Sequence, residues 1–116
     1  MPKTSAQITA LLSDYEATAM AWDAAQRDAT KANPLFDHLH RLFKELRVDQ
    51  EGRQGIAALI EHPNPGVRLS AAAHSLGWAP TEATQTLAEI ERGPRHSVAA
   101  KYTLEAFRDG TLDQDW

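Results

Sequence analysis

Between Thr4 and about Thr30, the apolar residues Ile8, Leu11, Leu12, Tyr15, Ala19 and Trp22 recur at spacings of three and four. That is the period of a helix with one buried face. Thr4 followed three positions later by Gln7 forms a capping-box start. No Gly or Pro falls between Lys3 and Pro34, so the pattern predicts one long helix over this stretch. Asn33-Pro34 then predicts a restart, with Asn33 as N-cap and Pro34 at the first helical position. Leu35, Phe36, Leu39, Leu42, Phe43 and Leu46 give the second helix a strong apolar face.

Beyond Val48 the texture changes to short, Ala-rich segments punctuated by Pro or Gly. Ile56, Leu59 and Ile60 mark a third helix stopped at His62-Pro63, and Asn64-Pro65 caps a fourth carrying Val67, Leu69, Ala72, Ala73 and Leu76. Pro80 opens a fifth with Ala83, Leu87 and Ile90. Gly93-Pro94 opens a sixth with Val98, Tyr102, Leu104 and Phe107, ended by Gly110. Strand signals are missing, because no run alternates apolar with polar. A weak internal repeat places Leu59 on Leu87, Ala71 and Ala72 on Ala99 and Ala100, and Leu76 on Leu104. The expected fold is all-α: a single domain over 1–116, in which a helical cap (1–48) precedes two stacked hairpins (49–110) and an acidic tail (111–116).

Composition narrows the function classes. Hydrophobic residues make up 42% and charged residues 24% of 116, enough for one core. The absence of cysteine removes disulfides and thiolate chemistry. The formal charge is −4, from 16 acidic and 12 basic residues, and no local basic run offsets it, which argues against a phosphate-backbone binder. The N-terminus lacks the pattern of a secretory signal and no stretch suits a membrane span, so a cytoplasmic location with no membrane partner is expected.

The segment GIAALIEHPNPGVRLSAAAHSLGWAP resembles a HEAT repeat in its leucine-bearing first helix, the Val67-Arg68 turn and the following Ala71-Ala72-Ala73 and Leu76. The next unit, ending in Leu-Glu-Ala-Phe before Gly110, is similar but lacks the Val-Arg pair. From about Ala6 to Leu112 the chain resembles a bacterial family of small HEAT-like proteins to which no function is assigned. The resemblance implies two HEAT-like hairpins, an interaction scaffold and no catalytic residue. Some small proteins of this kind resemble immunity proteins that neutralise a cognate toxin, an implication that rests on fold and size.

His38 and His40 are two apart and diverge around a helix, and Glu61-His62 begins no HExxH pattern, so no metal site and no cofactor are expected. No nucleophile and base stand at motif spacing. Gly52 and Gly55, flanking Arg53 and Gln54, suit a loop and helix start better than a phosphate loop. Trp22, Phe36 and Phe43 suit core or cap positions, and Trp78 suits the space between hairpins. Trp116 suits either a tail folded over the last hairpin or an anchor for a partner. By the HEAT resemblance Arg68 pairs with an acidic group or carbonyl of the adjoining unit. Second helices of the hairpins are expected to line a concave side and to leave Arg68, His74, Ser75, Arg95, His96 and Lys101 partly exposed. With Trp116 these form the candidate partner-binding set. The acidic residues Asp14, Asp23, Asp28 and Asp37 fall on the cap as a solvated face.

The function expected is therefore protein binding without catalysis, with a toxin as one possible partner and immunity as the role. An acidic inhibitor would complement a basic toxin site. Two alternatives stay open: a small-molecule enzyme or lyase on a HEAT-like scaffold, and a nucleic-acid-binding helical repeat, which the charge disfavours.

Overall fold

Thr4 starts the first helix as its pattern dictates: its hydroxyl accepts from Gln7 N while the Gln7 side chain accepts from Thr4 N. The computed structural model of the chain, which describes residues 2–116, continues from there through six α-helices: α1 (Ser5–Ala24), α2 (Ala29–Leu46), α3 (Gln50–Ala58), α4 (Pro65–His74), α5 (Pro80–Glu91) and α6 (Ser97–Asp109). A 3-10 turn extends α3 over Leu59–Glu61 and another extends α4 over Ser75–Gly77. Among the described residues there is no strand.

The break between the first two helices differs from the sequence expectation. The chain leaves α1 at Ala25, turns, and restarts at Asp28, whose carboxylate accepts from Thr30 N at 3.1 Å and from the Thr30 hydroxyl at 2.6 Å. Asn33-Pro34, expected as the restart, lies inside α2. Pro34 lacks the N–H that would reach the carbonyl of Thr30, and the helix tolerates that loss near its start. An acidic N-cap can thus break a helical pattern without Gly or Pro.

α4 and α5 begin where their punctuation places them, whereas α6, expected to open at Gly93-Pro94, starts at Ser97 because the left-handed His96 delays it. The Asn64 side chain accepts from Gly66 N and Val67 N, with Pro65 at the first helical position, and Pro80 does the same service for α5. Gly110 closes α6 in the left-handed conformation at φ 73°, which a residue with a Cβ enters only with strain.

Gly52 and Gly55 are not loop residues, because both sit within α3. A Cβ at Gly52 would overlap the carbonyl oxygen of Leu46, and one at Gly55 would overlap the Leu12 side chain. These glycines let α3 lie close against the end of α2 and against α1.

One core binds the helices together. Tyr15 and Ala19 of α1, Phe43 and Leu46 of α2, Ile56 of α3, Val67, Ala71 and Ala72 of α4, and Leu87 of α5 are almost wholly buried. Ala100 and Leu104 extend the core into α6. Each fully buried Leu, Ile or Phe contributes about 1.5–3 kcal/mol through lost water contact. α1 packs on α2 and on α4, α4 on α5, and α5 on α6, so the hairpins follow one another with α1 laid across the first. Arg68 of α4 pairs with Glu89 of α5 across adjoining hairpins. No described helix is long and apolar enough to cross a membrane.

Candidate functional site

A groove runs between α2, α4 and α6, and small residues on the facing helices make it. Ser70 and Ala73 of α4 and Ala99 and Thr103 of α6 present little side-chain bulk, while Phe36, Leu39 and His40 of α2 form the opposite wall. About 190 Å³ of space remains in it. The segment after α6 closes the groove over. From Gly110 the chain reverses, with Thr111 N and Leu112 N both donating to the Ala106 carbonyl. Leu112 packs on the core, and residues 113–116 cross the groove to α2, with Asp115 N donating to the Asp113 carboxylate at 2.9 Å.

This segment is held by groups of the α2 end. The Arg47 guanidinium donates to the Gln114 carbonyl at 3.2 Å and pairs with the Asp115 carboxylate at 2.7 Å. Lys44 Nζ donates to the Asp115 carbonyl at 3.2 Å. In return Gln114 Nε2 donates to the Ala73 carbonyl at 2.8 Å, in the last turn of α4. The Trp116 ring lies flat on His40, with centroids 3.5 Å apart and planes 4° apart, and stacks on Phe36 at 5.6 Å. Yet Trp116 remains 54% exposed and Phe36 47% exposed. Trp116 therefore folds back, as one sequence expectation had it, but onto α2 rather than onto the last hairpin.

Two histidines border this groove and differ in their polar partners. His74 Nδ1 lies 2.6 Å from the Tyr15 hydroxyl, and its ring stacks on Phe43 at 4.1 Å. Burial, helped by the charges of His40 and Arg47, pushes the His74 pKa down to about 3. Burial also raises the Tyr15 hydroxyl well above its usual value. Both groups are thus neutral at pH 7, and Tyr15 O–H donates to Nδ1. His40 is likewise pushed down, first by burial and then by Lys44 and Arg47, against the opposing pull of Asp113 and Asp115. Its Nε2, however, is buried without a hydrogen-bond partner.

The candidate set from sequence divides accordingly. His74 and Trp116 meet at the groove. Ser75 does not: it is fully buried behind α4 with its hydroxyl unpartnered, because the chain tightens into a 3-10 turn there, so it is withdrawn as a partner contact. Arg68 is engaged with Glu89. Arg95 and His96 both meet Asp23 Oδ1, at 2.8 and 2.6 Å, and His96 stacks on Trp22 at 5.0 Å. His96 takes the left-handed conformation at φ 59° to do so, at a cost of about 1 kcal/mol that the ion pair and stack offset. This clasp ties the end of α1 to the start of α6. Lys101 is exposed on α6, away from the groove.

The acidic set is not a free face. Asp14 meets His38 at 3.0 Å, Asp23 holds the clasp and Asp28 caps α2, which leaves Asp37 as the solvated member. Phe36, expected in the core or cap, is instead a half-exposed groove wall. Trp22 is half-buried in the same aromatic run, and Trp78 lies 6.1 Å from Phe43 with its Nε1 unpartnered.

Lys44 and Arg47 carry no expectation from the sequence, and His40 carries one only as a metal ligand. The one signal that pointed to them is their spacing of four and three on a helix whose apolar face includes Phe36 and Phe43. Among the described residues, no three His, Asp or Glu side chains converge in a way that would hold a metal ion.

No curated protein and no solved structure matches the chain. The family model described as "Domain of unknown function (DUF2019)" matches residues 6–107, from the first turn of α1 to near the end of α6, and the chain belongs to that family.

Proposed function

We propose that the chain is a protein-binding helical module that holds a segment of its partner in the groove between α2, α4 and α6. The observation that carries this reading is the manner in which residues 112–116 already lie there, with backbone carbonyls taken by Arg47 and Lys44 and a Trp ring seated on His40. Segment-in-groove recognition combines main-chain hydrogen bonds for affinity with pockets for single side chains. Capture of a toxin segment by an immunity or antitoxin protein is the biological role we favour. That role draws its support from the small scaffold, not from net charge, since the cap carboxylates are largely engaged. A cytoplasmic location accords with it.

A second reading, a small-molecule enzyme, draws on the depressed His40 and His74 at one pocket. The space of about 190 Å³ falls below the roughly 300 Å³ at which ligand sites begin, and the His40 ring face is covered.

The test is affinity capture from cells that naturally express the chain, with the unaltered protein and with Thr103→Trp, which fills the groove, as paired baits. One stoichiometric partner is expected on the unaltered bait and not on the filled one. Equal recovery on both baits, or none on either, contradicts the proposal.

A further inference from the structure

The segment after α6 shows what chemistry the groove accepts. It brings two carboxylates, Asp113 and Asp115, to a wall that carries Lys44 and Arg47, and it brings an aromatic ring to a buried imidazole. It does not complete that wall. His40 Nε2 stays buried and unpartnered beneath Trp116, an atom able to take or give one hydrogen bond that the segment does not supply. Trp116 keeps half its surface in water, and Asp115 is 79% exposed at its side chain. A native core element is neither so exposed nor so poorly matched to the polar atom under it.

We infer that residues 112–116 are an intramolecular stand-in for the partner segment, and that the groove is built for an acidic segment carrying an aromatic anchor, with a polar atom placed to reach His40 Nε2. This deepens the protein-binding reading and rests on it. The stand-in competes at an effective concentration on the order of millimolar, as short tethers do, so only a segment with better contacts displaces it. A partner that satisfies His40 Nε2 has that advantage. When the segment leaves, α6 stays docked through Ala100 and Leu104, and what is given up is the Leu112 packing and its N–H bond to the Ala106 carbonyl.

The experiment uses the synthetic hexapeptide Thr-Leu-Asp-Gln-Asp-Trp, fluorescently labelled, and reads anisotropy against the full chain and against a chain ending at Thr111. Saturable binding to the shortened chain is expected, with binding to the full chain weaker by about tenfold or more because its own segment competes. Arg47→Ala in the shortened chain, or Trp to Ala in the peptide, should each weaken binding by about tenfold. If the shortened chain loses its helical circular dichroism, Trp116→Ala in the full chain replaces it, and the peptide must then bind that variant more tightly than the unaltered chain.

Absent saturable binding, equal binding to full and shortened chains, or exchange of the segment between two copies into a concentration-dependent dimer overturns the inference. Recovery of a partner on the paired baits, with no peptide binding, leaves the protein-binding reading standing and removes only this inference.

Discussion

Two stacked histidines on neighbouring helices separate the molecule into a region that is finished and one that is not. In the seam between α1, α2 and α4, His74 rests on Phe43, and Tyr15, which has no exposed surface, meets its Nδ1. In the groove, His40 rests under Trp116, a ring half in solvent, and its Nε2 has no partner. Both imidazoles are held below their ordinary pKa by burial. The difference lies in what covers them. A stack completed by a hydrogen bond to a wholly buried tyrosine is architecture, and one completed by a half-exposed ring is a place where something else can bind.

The largest effect that would break this comparison is expected in the seam. Tyr15→Ala should cost about 3–5 kcal/mol, the range for deleting a buried aromatic, and urea titration should show the midpoint collapse. A loss below about 1 kcal/mol would mean that the seam is no more finished than the groove.

Acid should act next. The His74 pKa is about 3 when folded and near 6.5 when unfolded, so the unfolded chain takes up a proton first. Its contribution is present in full above pH 6.5 and drains away as pH falls toward 3, by about 3 kcal/mol at pH 4. Tyr15 runs the other way: its raised pKa preserves stability below pH 10 and loses it above, as the unfolded chain ionises. Thermal melts across pH 4–11 should therefore show a plateau flanked by two declines, and a flat profile between pH 6.5 and 4 would remove His74 from the seam.

Tyr15→Phe keeps the ring and removes the donor. It should cost about 1–2 kcal/mol, because His74 Nδ1 loses its partner in the seam.

Trp116→Ala should cost least, below about 1 kcal/mol, with helical circular dichroism unchanged. A loss as large as that of Tyr15→Ala would make Trp116 part of the core and erase the contrast between the two regions.

Much of the seam was legible in the sequence and little of the groove was. The Thr4–Gln7 capping box, the Asn64 cap with Pro65, the Pro80 start and the Gly110 stop are local devices, each decided by a few adjacent residues, and each appears where its pattern lies. The α1–α2 break escaped because Asp28 caps a helix with no Gly or Pro in sight. Gly52 and Gly55 misled for the opposite reason: glycine in a sequence signals a loop, whereas here it signals backbone approaching another helix, a tertiary fact. Ser75 and Phe36 exchanged places with expectation because a 3-10 turn rotates the first inward and the groove leaves the second uncovered. The groove itself depends on where residues 112–116 dock, some 40 to 75 positions from Ala73, Lys44 and Arg47, and no periodicity carries that information.

A nitrogen-15 NMR titration of the chain ending at Thr111 with the unlabelled hexapeptide tests the removable-occupant claim most directly. Saturable shifts confined to α2, α4 and α6 around His40, Ala73 and Thr103, converging on the spectrum of the full chain, are expected. Shifts scattered over the α1–α3 face, or a spectrum that stays as it was at saturating peptide, would contradict it.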